Sequence, residues 1–308
     1  MDPHLLRTYV TVARLASFSE AARELGYTQS AVSQHIAALE QDLGATLLTR
    51  RPVAPTPAGE RLLEHAGPLL LRLEAARAEV ARSAGEPAPG LTLATTATAL
   101  RRRTAEALPA TGVTLCVLPR AEMPAAVATG AADLGLVDGL AAPTDPLRLP
   151  DVAPLTVRGV AEEPVSVLLP AAHPLARRAG LRLGDLVDAR WLDAPDAGVC
   201  LEQLRAAHGS PGAVGFRPAL RYEGGDLRTL VALVGAGHGL ALLPSSLAAE
   251  SAAGGAAGGA AGGGAVAVPL TAPRVVHRTE LVHSGVVRGP AAALAELMAG
   301  ERGDVTRS

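Results

Sequence analysis

Polar side chains crowd the front of one short segment of this chain. Gln29, Ser30, Ser33 and Gln34 follow Thr28 at spacings that put them on one side of a helix. A glutamine amide can pair bidentately with adenine, and a serine hydroxyl can meet several acceptors or a phosphate, so the chemistry on offer is recognition of base edges. On an isolated helix the same residues would be an ordinary solvated face. Arg50, Arg51 and Pro52 make a second candidate, a tight basic turn whose guanidinium groups can reach phosphates or a narrow minor groove, or remain a solvated pair. Covalent chemistry has no comparable signal. Gly235-x-Gly237-x-Gly239 has the wrong spacing for a dinucleotide loop and precedes a strand instead of following one. No Gly-x-Ser-x-Gly elbow and no His/Glu metal motif occurs, so an enzyme is not expected. Cys116 and Cys200 form no C-x-x-C pair, which argues against a disulfide framework or a zinc site.

These side chains need elements to hold them. A first helix reads from Pro3 to about Leu15, with Leu5, Leu6, Tyr9, Val10 and Ala13 recurring every three or four residues as its buried face. Ser17, with Glu20 three residues on, is a capping-box start for a second helix that ends at Leu25 before Gly26. After Gly26-Tyr27-Thr28 a third helix starts with Thr28 as N-cap and runs to about Leu43, burying Val32, Ile36, Leu39 and Leu43. Its opposite side carries Gln29, Ser30, Ser33 and Gln34. The run from Leu47 to Thr56 reads as two short extended arms about a proline-rich turn, where a wing would sit. From Pro57 onward Leu62, Ala66, Leu69, Leu73, Ala76 and Val80 repeat as a heptad seam, a narrow stripe suited to a partner helix, with Gly67-Pro68 interrupting it.

Charge contributes nothing to the case for nucleic acid. The 308 residues carry a formal charge of −2, and residues 1–65 hold six arginines against seven acids, so the usual basic footprint is missing. All 28 basic residues are arginine, with no lysine or asparagine and a single isoleucine, Ile36, which is the mark of a GC-rich coding sequence. No apolar run approaches the roughly 18 residues a bilayer span needs, and no secretory signal peptide is readable at the N-terminus. A cytoplasmic location and no membrane partner are therefore the expectations.

Ser83 to Gly90 has the composition of a hinge, and beyond it apolar strands alternate with helical segments in the α/β manner. Strands are predicted at Leu91–Ala94, Val113–Leu118, Leu134–Val137, Val165–Leu169, Leu220–Tyr222, Leu240–Leu243 and Val266–Val268, with Cys116 buried in the second. Arg101-Arg102-Arg103 reads as a solvated or subunit-facing charge run, and Ser251 to Gly264, nearly pure Ala and Gly, as a flexible surface loop.

The string Ser17-Phe18-Ser19-Glu20-Ala21-Ala22-Arg23-Glu24-Leu25, followed by Thr28-Gln29-Ser30-Ala31-Val32-Ser33-Gln34-His35-Ile36-Ala37-Ala38-Leu39-Glu40, Leu43-Gly44 and Thr56-Pro57-Ala58-Gly59, resembles the LysR-type transcriptional regulators. Gly130 to Leu136, His173-Pro174-Leu175-Ala176 and Val234 to Pro244 add weaker matches in the body. The resemblance implies an all-α winged helix-turn-helix with a linker helix, then an α/β two-lobed effector domain like a periplasmic binding protein. The expected domains are 1–59 for the head, 60–84 for the dimerising linker helix, 85–90 for the hinge, 91–300 for the effector-binding domain and 301–308 for a tail. Lobe I is expected at about 91–160 and 268–300, and lobe II at about 161–267, with two strands crossing between them.

The implied function is that of a sequence-specific DNA-binding regulator without a cofactor, controlled by a small-molecule effector of unknown identity held between the lobes. Implied partners are double-stranded DNA bearing an imperfect inverted repeat, the chain itself as homodimer or tetramer, and RNA polymerase. In such an architecture strand ends and helix N-termini line the cleft. This selects Thr95, Thr96 and Thr98 after the first strand, Asp138 after the third, Asp196, Ala197 and Gly198 before one second-lobe helix, and Gly224 and Asp226 before another. Many family members carry arginine where this chain has Gln34. Gly198-Val199-Cys200-Leu201 is similar to the reactive-cysteine segment of peroxide-sensing members, which makes a redox-responsive regulator working through Cys200 the alternative. A solute-binding protein and an enzyme are remote rivals.

Overall fold

The structure is a computed structural model, and it describes residues 1–85, 90–208, 215–257, 264–285 and 287–300. The chain divides into two compact units, Met1–Val80 and Ala81–Ser308. The first unit begins with α1 (Pro3–Leu15), α2 (Phe18–Leu25) and α3 (Gln29–Leu43). Each start is capped by a side chain: Asp2 accepts from the His4 amide, Ser17 from Glu20 and Thr28 from Ala31. Gly26 and Gly44 end α2 and α3 at φ +70° and +65°, a conformation that side chains with a Cβ resist. A two-stranded wing follows, β1 (Leu48–Arg50) paired antiparallel with β2 (Val53–Pro55), and then the long α4 (Pro57–Ala84), with Pro68 inside it.

Tyr9, Val12, Phe18, Ala21, Ala22, Val32, Ile36, Leu39, Leu47 and Leu48 form the core of this unit, and Leu62 packs against it. The buried face of α1 is rotated from the one its apolar spacing predicts: Thr8, Thr11 and Val12 are buried, whereas Leu5, Val10 and Ala13 are half-buried. The two threonines can go inside because Thr8 donates to the His4 carbonyl at 2.9 Å and Thr11 to that of Arg7 at 3.0 Å. Leu43, expected inside, stays 42% exposed because the core ends one turn earlier at Leu39.

In the second unit the first lobe contains β3 (Leu91–Thr95), α5 (Arg102–Glu106), β4 (Val113–Val117), α6 (Met123–Thr129), β5 (Leu134–Ala141) and β6 (Leu155–Glu163). The chain passes through Pro164 into the second lobe, which contains β7 (Val165–Pro170), β8 (Leu181–Arg182), β9 (Arg190–Asp193), α7 (Leu201–His208), β10 (Arg217–Arg221), α8 (Leu227–Gly235), β11 (Ala241–Pro244), α9 (Ser245–Ala257) and β12 (Ala265–Ala272). It then returns to the first lobe as β13 (Val276–Ser284) and α10 (Gly289–Gly300). The first-lobe sheet has the order β4-β3-β5-β13-β6, parallel among β4, β3 and β5 and antiparallel on both sides of β13. The second lobe has the order β11-β7-β12-β8 beside a parallel β9–β10 pair.

Strand membership therefore changes at Pro164 and between Ala272 and Val276, a few residues after the expected boundaries near 160 and 267. Further corrections concern single elements. β10 lies at Arg217–Arg221 instead of Leu220–Tyr222, and β6, β8, β9 and β13 were not foreseen. Cys116 is half-buried because β4 is the open edge of its sheet. Arg101 is not a free solvated charge: its Nη2 lies 2.6 Å from Glu163. Arg102 pairs with Glu106 at 2.8 Å on an exposed turn, and the Arg103 side chain lies outside the described residues. The loop expected over Ser251 to Gly264 is helical as far as Ala257, as alanine favours, and residues 258–263 lie outside the described set. So do 86–89 of the expected hinge and the 301–308 tail.

Candidate functional site

In the head, the third helix divides its polar front between two tasks. Thr28 is committed to the cap, its Oγ1 accepting from the Ala31 amide at 3.2 Å and meeting Ser30 Oγ at 3.0 Å. Gln29 and Gln34 are exposed, Ser33 is half-buried, and none of these three has a hydrogen-bond partner among the described residues. The wing is fixed to the same helix by Glu40, whose Oε1 accepts from the amides of Leu47 at 2.8 Å and Leu48 at 3.3 Å. Within the wing the Thr49 hydroxyl reaches the carbonyls of Pro52 at 2.6 Å and Ala54 at 3.1 Å. Arg51 and Pro52 are exposed in its turn. Arg50 is less free than the sequence suggests, because its guanidinium lies 5.0 Å above the ring of Phe18, a cation–π contact that draws the wing towards α2.

Along α4 the predicted seam splits in two. Ala66 is buried, Leu62 and Leu73 are half-buried, and Leu69 (44%), Ala76 and Val80 (67%) are exposed. The exposed members leave an apolar stripe on a helix that has already satisfied its own head.

The second unit holds a small polar pocket of about 20 Å³ at the junction of its lobes, lined by Thr96, Thr98, Arg120, Asp138, Gly139, Pro195, Asp196, Gly198, Val199, Gln203 and His277. Its anchor is Asp138, 5% exposed on β5. The carboxylate accepts from Thr96 Oγ1 at 2.7 Å, from Thr98 Oγ1, and from His277 Nε2 at 3.0 Å. Burial pushes this carboxyl up, but the hydrogen bond and charge of His277, with the two threonine hydroxyls, outweigh it and hold the group below the usual carboxylate range. The turn after β3 is aligned for this by the Thr96 amide, which donates to Leu136 of β5 at 3.0 Å. Across the cavity, Gly198 and Val199 are tied back to Ala194 and Leu242, and the Leu201 amide at the start of α7 donates to Asp193 at 3.1 Å.

Of the nine effector positions read from sequence, the cavity brings together Thr96, Thr98, Asp138, Asp196 and Gly198. The other four are placed elsewhere. Thr95 is buried in the strand end and donates to the Thr96 carbonyl at 3.0 Å. Ala197 is wholly buried against the second-lobe core. Asp226 caps α8, accepting from the amides of Arg228 and Thr229, and Gly224 sits in the turn before it, away from the cavity lining. Arg120, Gly139, Pro195, Val199, Gln203 and His277 were missed. Arg120 lies two residues past the expected strand Val113–Leu118, the same signal that selected Thr96 and Thr98, whereas His277 lies inside β13, a strand that hydrophobic periodicity does not show. Cys200, beside Val199, is a free thiol at the start of α7, and Cys116 is free as well. Among the described residues no cluster of His, Cys, Asp and Glu could hold a metal, and no helix is long and apolar enough to cross a membrane.

Comparison with known proteins agrees with this geometry. The family model for bacterial regulatory helix-turn-helix proteins of the lysR family matches residues 3–60, and that for the LysR substrate binding domain matches residues 84–284. The small neutral protease regulatory protein of Streptomyces coelicolor is 32% identical over 245 residues, covering 75% of this chain and 70% of that protein. A full-length OxyR variant from Pseudomonas aeruginosa shares the fold with a TM-score of 0.51 at 20% identity, over 98% of this chain and 99% of its own. Full-length CbnR, solved in complex with its target DNA, gives a TM-score of 0.50 at 20% identity over 98% and 99% of the two chains. With a capped helix-turn-helix and wing in front of a two-lobed body built around a polar cleft, the chain belongs to the LysR family of DNA-binding transcription regulators.

Proposed function

We propose that this regulator reads its operator with Gln29, Ser30, Ser33 and Gln34 in the major groove, while Arg51 and Pro52 of the wing meet the flanking backbone or minor groove. Arg50 joins them while stacked on Phe18, and Thr28 serves by holding the helix start. The observation that carries this reading is the polar front of α3, where exposed amides with no internal partner stand on a helix fixed from both ends by Thr28 and Glu40.

Two copies joined along Leu69, Leu73, Ala76 and Val80 then face an imperfect inverted repeat as a homodimer, or as a dimer of dimers. A small-molecule effector occupies the cleft at Thr96, Thr98, Asp138, Asp196 and Gly198, binds one arrangement of the dimer better than another, and so changes the spacing of the heads and their contact with RNA polymerase. The protein acts in the cytoplasm without catalysis and without a cofactor beyond that effector.

A mobility-shift assay with the DNA flanking the protein's own gene tests the reading. The expected result is a sequence-selective, salt-sensitive shift that disappears when residues 1–60 are removed or when Gln29 and Gln34 are both changed to alanine. A shift that survives the double substitution with its selectivity intact would sink the assignment of these residues.

A further inference from the structure

The cleft contains two buried nitrogen atoms with no hydrogen-bond partner among the described residues, and both belong to side chains that line the cavity: Arg120 Nη1 and His277 Nδ1. A buried donor left unpaired costs free energy, so Arg120 Nη1 marks where a ligand's acceptor would sit, while the role of His277 Nδ1 depends on the ring's tautomer. His277 is 2% exposed, and its other ring nitrogen is already committed to Asp138. Arg120 reaches the cavity from the segment after β4. One arm of its guanidinium, Nη2, donates to the Arg148 carbonyl at 3.3 Å, and the other lies over Gly139, so close that a Cβ there would stand 1.9 Å from Nη1. A glycine at this strand position is what lets the guanidinium lie flat over the sheet.

The charges of the cleft choose between ligand classes. Asp138 would be the natural seat for a cationic group, but donors from Thr96, Thr98 and His277 already take three of its roughly four acceptor sites. That leaves Arg120 as the deep charge whose donor capacity is unspent, and a planar guanidinium matches a planar carboxylate. Asp196 is half-buried on the other wall and would repel a second negative group. We propose that the effector is a small monocarboxylate whose oxygens are held by Arg120 Nη1, in the pocket that His277 Nδ1 also lines. This inference rests on the cleft being the effector site, and it adds the chemical class.

The test is thermal denaturation and calorimetric titration of the full chain with a panel of small monocarboxylates, each paired with its primary amide and its amine. Carboxylates are expected to raise the melting temperature and their amides and amines are not. Arg120→Gln should weaken the carboxylate about 10- to 100-fold, as expected for loss of a charge-assisted hydrogen bond, and Gly139→Ala should do the same by displacing the guanidinium without removing it. If Arg120 is only a counter-ion to Asp138, Arg120→Gln will lower the melting temperature of the unliganded protein and leave carboxylate affinity intact, which overturns the proposal.

A neutral compound or amine that binds and is excluded by Gln203→Trp, a substitution that fills the cleft, would overturn the carboxylate class and leave the cleft as the effector site. Carboxylate binding that survives both Arg120→Gln and Gln203→Trp would place the effector elsewhere and overturn both readings. A panel in which no monocarboxylate binds overturns the proposal outright.

Discussion

Removing the Asp138 side chain should unfold the body of this protein well before any effect on the head. Asp138→Ala takes one acceptor away from three donors, the hydroxyls of Thr96 and Thr98 and the Nε2–H of His277, and leaves that ring N–H without a partner in a position 2% exposed. Leaving a buried donor unsatisfied costs about 1–3 kcal/mol. The two hydroxyls can turn towards the cavity and its water, so they add little beyond that range. For a domain of roughly 200 residues each kcal/mol moves the midpoint by about 2–4 °C, which puts the fall at about 2–12 °C. Asp138→Asn keeps one carbonyl oxygen for a threonine and should cost about half as much.

The assay is thermal denaturation of the full chain, followed by far-UV circular dichroism and by the fluorescence of Trp191, the single tryptophan, which is buried in the second-lobe core. The pH dependence gives an independent check. The folded carboxyl titrates below its unfolded value of about 3.9, so its contribution is complete above that value and drains away as pH falls through the lower folded one. The gap between the wild type and Asp138→Asn should therefore be constant above about pH 5 and close below about pH 4. An Asp138→Ala protein within about 0.5 kcal/mol of wild type at neutral pH would refute the idea that this carboxylate organises the cleft.

Three substitutions in the head test the rest of the argument. Gly59→Ala would place a Cβ 2.2 Å from the Leu47 carbonyl oxygen and 2.5 Å from the Tyr9 hydroxyl, and backbone cannot give way cheaply, so the head should lose about 1–3 kcal/mol or more. A melting curve unchanged by this alanine would contradict the close packing of the first turn of α4 against Leu47 and Tyr9. Glu40→Ala strips the acceptor from two wing amides; faster hydrogen exchange at Leu47 and Leu48, with weaker DNA binding, is expected, and protection equal to wild type would count against it. Gln34→Arg adds one positive charge to the exposed front of α3, so the slope of log affinity against log salt should steepen by about 0.9 per dimer half-site; an unchanged slope would place residue 34 away from the phosphates.

How much of this was legible in the sequence depended on which physical signal each part used. The head was readable almost residue by residue because caps are local: Ser17, Thr28, Gly26 and Gly44 act on neighbours within four positions, and each does in the structure what its type suggests. The misplaced face of α1 came from treating Thr8 and Thr11 as polar, when each satisfies its hydroxyl inside its own helix and is free to be buried. In the body, strands rich in Val and Leu were located, and β13 was not. Its residues His277, Arg278, Thr279, Glu280, His283 and Ser284 are all buried, a composition that hydrophobic periodicity assigns to the surface.

That omission also explains the part of the site that was missed. β13 is central, antiparallel to β5 on one side and to β6 on the other, and its register puts Thr279 opposite Asp138. A strand in that position can bury polar groups only where its neighbours answer them. Arg278 meets Glu162 and the Asp145 carbonyl at 2.6 Å, Glu280 accepts from the Leu147 amide at 3.1 Å, and His277 donates to Asp138. A strand made of Val and Leu would satisfy the same ladder, so the fold alone does not require these residues. What distinguishes them is direction. Arg278 and Glu280 find protein partners on their side of the sheet, with Arg278 Nε left over, whereas the unspent nitrogen of His277 belongs to a side chain that lines the cavity. Stability therefore accounts for two of the three, and the third points to the ligand.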